Sequence, residues 1–173
     1  GRIAAENALG GNHAYHGSLG TSIVRVFDAV AGMTGLSLKA ARGAGLDADS
    51  VTVHKEHHTS YYPGSKQVTV KIVYERGTGR ILGGQTAGYA GADRRLDVIA
   101  TAAFTGMNVH ELADVDFAYS PPLGTANDAM NMVAFVAENR LSGYGPSISV
   151  EELDAWIGAN DPVVLDVRDS FAF

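Results

Sequence analysis

Residues 67–75 show the clearest alternation in the chain, with Val68, Val70, Ile72 and Tyr74 interleaved by Gln67, Thr69, Lys71 and Glu75. Period-two alternation predicts a strand with one buried face. Arg76-Gly77-Thr78-Gly79-Arg80 follows as a turn, and Ile81-Leu82 begins a returning strand, so the unit reads as a hairpin. Gly83-Gly84 within that second strand predicts a close backbone approach or a bulge. Upstream, Ile23, Val24, Val26 and Phe27 form one β-prone run and Val51-Thr52-Val53 another. Together these runs predict an antiparallel sheet with a solvated face.

The apolar period then lengthens. Leu96, Ile99, Ala100, Ala103 and Phe104 fall on one helical face, with Asp93 at its positive end. Asn108 and Glu111 have capping-box spacing, and a last helix of this group covers about residues 126–140. Ser37 suits the cap of a short helix over Leu38–Ala41. Strands followed by helices predict an α+β fold, an antiparallel sheet packed with helices on one side, over residues 20–143. Residues 1–19 read as a helix end, stopped at Gly10-Gly11, and a polar linker. Residues 144–173 read as a linker and a truncated new unit. Ser149 and Glu152 would box a helix through Trp156 that Gly158 ends, and Val163–Val167 would be a buried strand. Roughly 27 residues cannot build a core of their own, so both ends are expected to continue into something longer.

Composition narrows the chemistry. The absence of cysteine from the 173 residues excludes disulfides, thiolate metal sites and a cysteine nucleophile within them. A net charge of −6 without a basic block argues against nucleic acid, and no apolar run has membrane-spanning length. A cytoplasmic origin is expected.

What remains is tyrosine. His57-His58-Thr59-Ser60-Tyr61-Tyr62-Pro63-Gly64 and Ala118-Tyr119-Ser120-Pro121-Pro122 each set a phenol beside a proline-stiffened turn. A phenol donates a hydrogen bond and holds its proton to about pH 10; the alternative is packing with a satisfied hydroxyl. If the strand continues through Tyr61-Tyr62, only one of the two can reach a site. His57 and His58, adjacent on a strand, would point to opposite faces, a poor arrangement for a shared metal ion, and no metal site is expected. Arg94, Arg95 and Asp97 are expected to make exposed or interfacial ion pairs of small worth.

Gly1-Arg2-Ile3-Ala4-Ala5-Glu6-Asn7, Tyr61-Tyr62-Pro63-Gly64, Gly91-Ala92-Asp93-Arg94-Arg95-Leu96-Asp97-Val98 and Phe117-Ala118-Tyr119-Ser120-Pro121-Pro122 together resemble the C-terminal third of flavin-dependent pyridine nucleotide-disulfide oxidoreductases. Among these the chain looks most like coenzyme A disulfide reductases with a C-terminal rhodanese domain. Val164-Leu165-Asp166-Val167-Arg168-Asp169 looks like the opening of that domain, in which Asp166 and Arg168 would support a strand. The resemblance implies a dimerisation domain of a homodimer, with FAD and NAD(P)H bound elsewhere in the parent enzyme and none by this chain alone. It implies a coenzyme A-type disulfide or persulfide as substrate. It further implies that Tyr61 and Tyr119 reach the partner subunit's redox cysteine, while His57, His58, Tyr62 and Lys66 are candidates to line the substrate. An NADH oxidase or peroxidase of the same superfamily, or a purely structural dimerisation module, are the competing expectations.

Overall fold

A computed structural model describes residues 1–167. Its centre is a five-stranded antiparallel sheet in the order β1-β2-β5-β4-β3: β1 Ser22–Val26, β2 Ala29–Gly35, β3 Ala48–Glu56, β4 Gln67–Glu75 and β5 Ile81–Gly88. Helix α1 (Arg2–Ala8) precedes it, α2 (Leu38–Gly43) joins β2 to β3, and α3 (Ala92–Thr105), α4 (Val109–Ala113), α5 (Ala129–Leu141) and α6 (Val150–Asn160) follow. The α+β class and the antiparallel sheet with its helical layer are as the sequence predicts.

The alternation in β4 places Val68, Val70, Ile72 and Tyr74 in the main core, against Ile99 of α3 and Met130, Val133 and Ala137 of α5. The opposite face is open over most of its area but not everywhere. Val73 and Leu82 are also buried, covered by α2 through Ala41 and by Ala48, so the corner of the sheet beside α2 has two cores. The glycine pair behaves as its placement in a strand suggests: a Cβ on Gly83 would lie 2.5 Å from the Thr34 carbonyl oxygen, and one on Gly84 2.3 Å from that of Lys71.

Strand β2 departs from the sequence reading, which places a single strand there. Val26 pairs with Ala29, making a two-residue turn of Phe27 and Asp28 with Phe27 at φ 53°. Arg25 braces it by donating from Nε to the Phe27 carbonyl at 2.8 Å. The return strand is masked in sequence by small residues that β propensity disfavours. Gly32 is one of them, and its smallness is imposed by packing: a Cβ there would fall 2.5 Å from Leu96 Cδ2.

The caps at Ser37 and Asn108 form as expected, with Ser37 Oγ accepting from Ala40 N and the reciprocal Asn108–Glu111 box complete. The box at Ser149 does not form. Its hydroxyl donates to the Glu152 carboxylate at 2.6 Å instead of capping the backbone. That bond, with a second from the Ser149 backbone, holds Glu152 below the usual carboxylate range. Gly158 does not stop α6, which continues to Asn160; an isolated glycine costs a helix about 1 kcal/mol, too little to end it. Val163–Val167 is not a strand, because no neighbouring strand among the described residues offers it a ladder. Arg168 and Asp169 lie outside the described residues.

Candidate functional site

The loop after β3 and the loop before α5 are far apart in sequence and joined in space. The Thr59 amide donates to the Gly124 carbonyl at 3.0 Å, and its hydroxyl donates to the Pro121 carbonyl at 2.9 Å. Each loop is also closed on itself. Tyr62 N donates to the Thr59 carbonyl at 3.0 Å, and Leu123 N and Gly124 N both donate to the Ser120 carbonyl. The result is one rigid surface built from two proline-bearing turns.

Tyr61 and Tyr119 meet on this surface through their hydroxyl groups. The hydrogen bond with Tyr61 is the main cause that holds the Tyr119 phenol above its ordinary range, with slight burial second. Either hydroxyl can donate to the other, and a phenol that donates is held in its neutral form. Neither ring is packed away: Tyr61 is 74% exposed and Tyr119 49%. The packing alternative therefore does not describe them within this chain.

Tyr62 takes a different course, although not by strand alternation, since residues 60–64 form a turn. Its ring stands edge-on to His58, with centroids 5.7 Å apart. The histidines also differ from expectation. Strand β3 ends at Glu56, so alternation no longer separates them, and the two rings lie 4.2 Å apart at 54°. His58 is buried, its Nδ1 donating to the Thr59 carbonyl at 2.9 Å. His57 closes the base of the loop by accepting from the Lys66 amide at Nδ1, 3.0 Å, while its own amide donates to the Lys66 carbonyl at 2.9 Å. Partial burial is the main cause that holds the His57 imidazole below its ordinary range; the Lys66 carbonyl, 3.1 Å from Nδ1 and able to accept from the charged ring, opposes it, and the charges of His58 and Arg95 add to it. The Lys66 side chain is exposed. Among the described residues, no three His, Asp or Glu side chains group as a metal ion would require.

The deepest part of the site is one the sequence reading undervalues. Arg95 is 1% exposed and Asp128 2%. Arg95 grips Asp128 with a two-pronged contact, Nε to Oδ1 at 2.9 Å and Nη2 to Oδ2 at 2.7 Å. Arg94 adds a second guanidinium to the same carboxylate at 2.7 Å. The remaining donors of Arg95 reach the carbonyls of Gly91 at 2.9 Å and His57 at 3.1 Å. This is a buried ion pair, not the exposed or interfacial one expected. The available signal lay in Gly91, which opens α3 at φ +67°, where a Cβ would sit 2.4 Å from Arg95 Nη1. Asn131 secures the approach to the second loop, donating from Nδ2 to the carbonyls of Ala113 and Val115 at 3.0 Å each.

No helix among the described residues is long and apolar enough to cross a membrane. A family model described as the pyridine nucleotide-disulphide oxidoreductase dimerisation domain matches residues 21–130. Over 138 residues the chain is 30% identical to a coenzyme A disulfide reductase of Staphylococcus epidermidis, covering 79% of the chain and 31% of that protein. The solved structure of reduced Bacillus anthracis CoADR-RHD superimposes with a TM-score of 0.87 at 34% identity, over 92% of this chain and 29% of that one. An NAD-dependent persulfide reductase from A. fulgidus gives 0.83 at 35% identity, over 87% of this chain and 28% of that one. The chain thus spans less than a third of the length of each of these relatives.

Proposed function

The chain belongs to the pyridine nucleotide-disulphide oxidoreductase dimerisation-domain family, and on that footing we propose that Tyr61 and Tyr119 are the part of a reductive site that this domain lends to a partner subunit in a homodimer. The parent reaction is NAD(P)H-dependent reduction of coenzyme A disulfide, coenzyme A persulfide or a similar low-molecular-weight disulfide. The observation that carries the reading is the meeting of two exposed phenols from separate, mutually braced loops.

A pair of phenols suits this chemistry. When a thiolate attacks one sulfur of a disulfide, the S–S bond breaks and the other sulfur departs with the electron pair. In the proposed arrangement Tyr119 donates to the Tyr61 oxygen, which leaves the Tyr61 hydroxyl hydrogen free to face that departing sulfur. Tyr61 then stabilises the thiolate by hydrogen bonding or passes it a proton, and the bond from Tyr119 offsets the charge left on the Tyr61 oxygen. Of the candidates to line the substrate, His57, His58, Tyr62 and Lys66, the exposed Lys66 ammonium is available to a coenzyme A phosphate.

Flavin and nicotinamide do not fit these residues. Their pyrophosphates need a glycine turn between a strand and a helix within a parallel sheet, and the sheet here is antiparallel. At Gly91, where a glycine does open a helix after β5, the Arg95 side chain fills the space. The dinucleotides therefore bind elsewhere in the parent enzyme, and this chain alone is inactive. Residues 144–173 open a further, rhodanese-like unit.

Steady-state disulfide turnover by the complete flavoenzyme tests the reading. Tyr61→Phe and Tyr119→Phe together should lower kcat by about 10²–10³, as loss of a charge-stabilising donor does elsewhere. Unchanged turnover in the double variant rejects it.

A further inference from the structure

We propose that the buried Arg94–Arg95–Asp128 cluster is the positioning device of the tyrosine site, fixing where Tyr61 and Tyr119 meet by holding both loops from beneath. This rests on the reading of those tyrosines as the site.

The geometry divides the task between two adjacent arginines. Arg95 donates to the carbonyl of His57, at the root of the Tyr61 loop. Arg94 approaches the carbonyl of Leu123, in the Tyr119 loop, at 3.4 Å. Both guanidinium groups converge on Asp128 Oδ2 at 2.7 Å. Asp128 is itself fixed, capping α5 through the Met130 amide at 3.1 Å and receiving the Asn131 side chain at its own backbone. One carboxylate at the start of a 13-residue helix therefore anchors, through two arginines, the two loops that the Thr59 bridge joins.

A buried ion pair is a poor way to gain stability, because desolvation consumes most of the attraction and apolar replacements often do as well. Its distinctive contribution is geometric. A guanidinium fork is planar, and its donors leave in fixed directions, so a carboxylate held at both oxygens leaves the outer N–H groups no freedom. In Arg95 such an outer group meets the His57 carbonyl, while Arg94 reaches Leu123 from its single contact to Asp128 Oδ2. Lysine carries the same charge but lacks the fork, so Arg95→Lys separates the geometric role from the electrostatic one.

The test is an NMR titration of ring-labelled tyrosine in the 173-residue protein, with Arg95→Lys and Arg94→Gln as variants. Tyr74, which burial in the core pushes up to about 12, reports on the fold in the same spectra. The expected result is that Tyr74 stays near 12 while Tyr119 falls toward its ordinary value in both variants. In the complete flavoenzyme the same variants should lose kcat by roughly 10-fold to 10²-fold at unchanged KM, the size a small misplacement of reacting groups produces. If Tyr119 stays raised in both variants while Tyr74 remains near 12, the proposal is overturned. If Arg95→Lys fails to fold, seen as collapse of the Tyr74 titration, Arg94→Gln decides, since its partly exposed side chain can be removed without emptying the core. A relaxed Tyr119 with unchanged turnover in the Tyr61→Phe, Tyr119→Phe enzyme leaves the positioning inference standing and removes the catalytic reading on which its purpose rests.

Discussion

Tyr74 and Tyr119 both hold their protons above the ordinary tyrosine range, for opposite physical reasons. Tyr74 lies in the core with 0% exposure, and its hydroxyl has no hydrogen-bond partner among the described residues. Burial is the main cause that pushes it up to about 12, with the nearby Asp49 charge second and Arg140 and Arg76 opposing. Tyr119 sits at the surface and is raised first by a hydrogen bond with another phenol. One tyrosine is raised by its surroundings as a whole, and the other by a single neighbour. A perturbed proton affinity alone does not separate the two; the identity of the partner does.

Each region also rests on its own buried carboxylate. Beneath Tyr74, Asp49 accepts from Arg140 Nε at 2.8 Å, tying α5 to β3. Beneath the tyrosine loops, Asp128 holds Arg95 and Arg94. The largest expected effect follows from the second. Arg95→Met leaves Asp128 with only the partly exposed Arg94, and should destabilise the protein by about 3 kcal/mol or more in urea unfolding. A loss below about 1 kcal/mol would place Arg95 with the surface ion pairs.

The next effect isolates the core tyrosine. Because the folded pKa of Tyr74 exceeds its unfolded value, the stabilisation it confers is complete below pH 10 and is lost as pH rises from there through about 12. The loss should total on the order of 2–3 kcal/mol, and Tyr74→Phe should remove that part of the alkaline dependence. At neutral pH the same substitution should cost almost nothing, because the hydroxyl it deletes has no bond to lose. An unaltered alkaline profile in Tyr74→Phe would show that the buried phenol is not what titrates there. The smallest effect falls at the surface. Tyr61→Phe should change stability by no more than about 0.5 kcal/mol, yet bring Tyr119 back toward its ordinary titration. A Tyr119 that stays raised would assign its shift to burial, and the contrast with Tyr74 would vanish.

The sheet was far more legible in the sequence than the site. In β4 the backbone itself imposes the period of two, so burial shows directly in residue type. Strand β2 escaped because Gly32 is set by Leu96, a residue on α3 distant in sequence. Tyr61 and Tyr119 were legible as loop phenols, but their contact depends on how Thr59 docks onto Gly124 and Pro121. The placement of His57 beside His58 depends on β3 ending one residue earlier. Arg95 was misjudged for the same reason: a charged residue early in a helix is usually solvated, and its burial is decided by Asp128 from another element. Residues whose role is set by local backbone can be read in order along the chain. Those whose role is set by tertiary contact cannot.

The central claim is that the tyrosine pair serves the partner subunit's cysteine, and subunit complementation in the parent flavoenzyme tests it directly. A heterodimer would join one subunit carrying Tyr61→Phe and Tyr119→Phe to one lacking the redox cysteine. If the tyrosines act across the two-fold axis, one complete site is assembled and disulfide turnover should recover to about half that of the unmodified dimer. Turnover no higher than that of the two inactive homodimers would show that the tyrosines serve their own chain or no site, and would contradict the account.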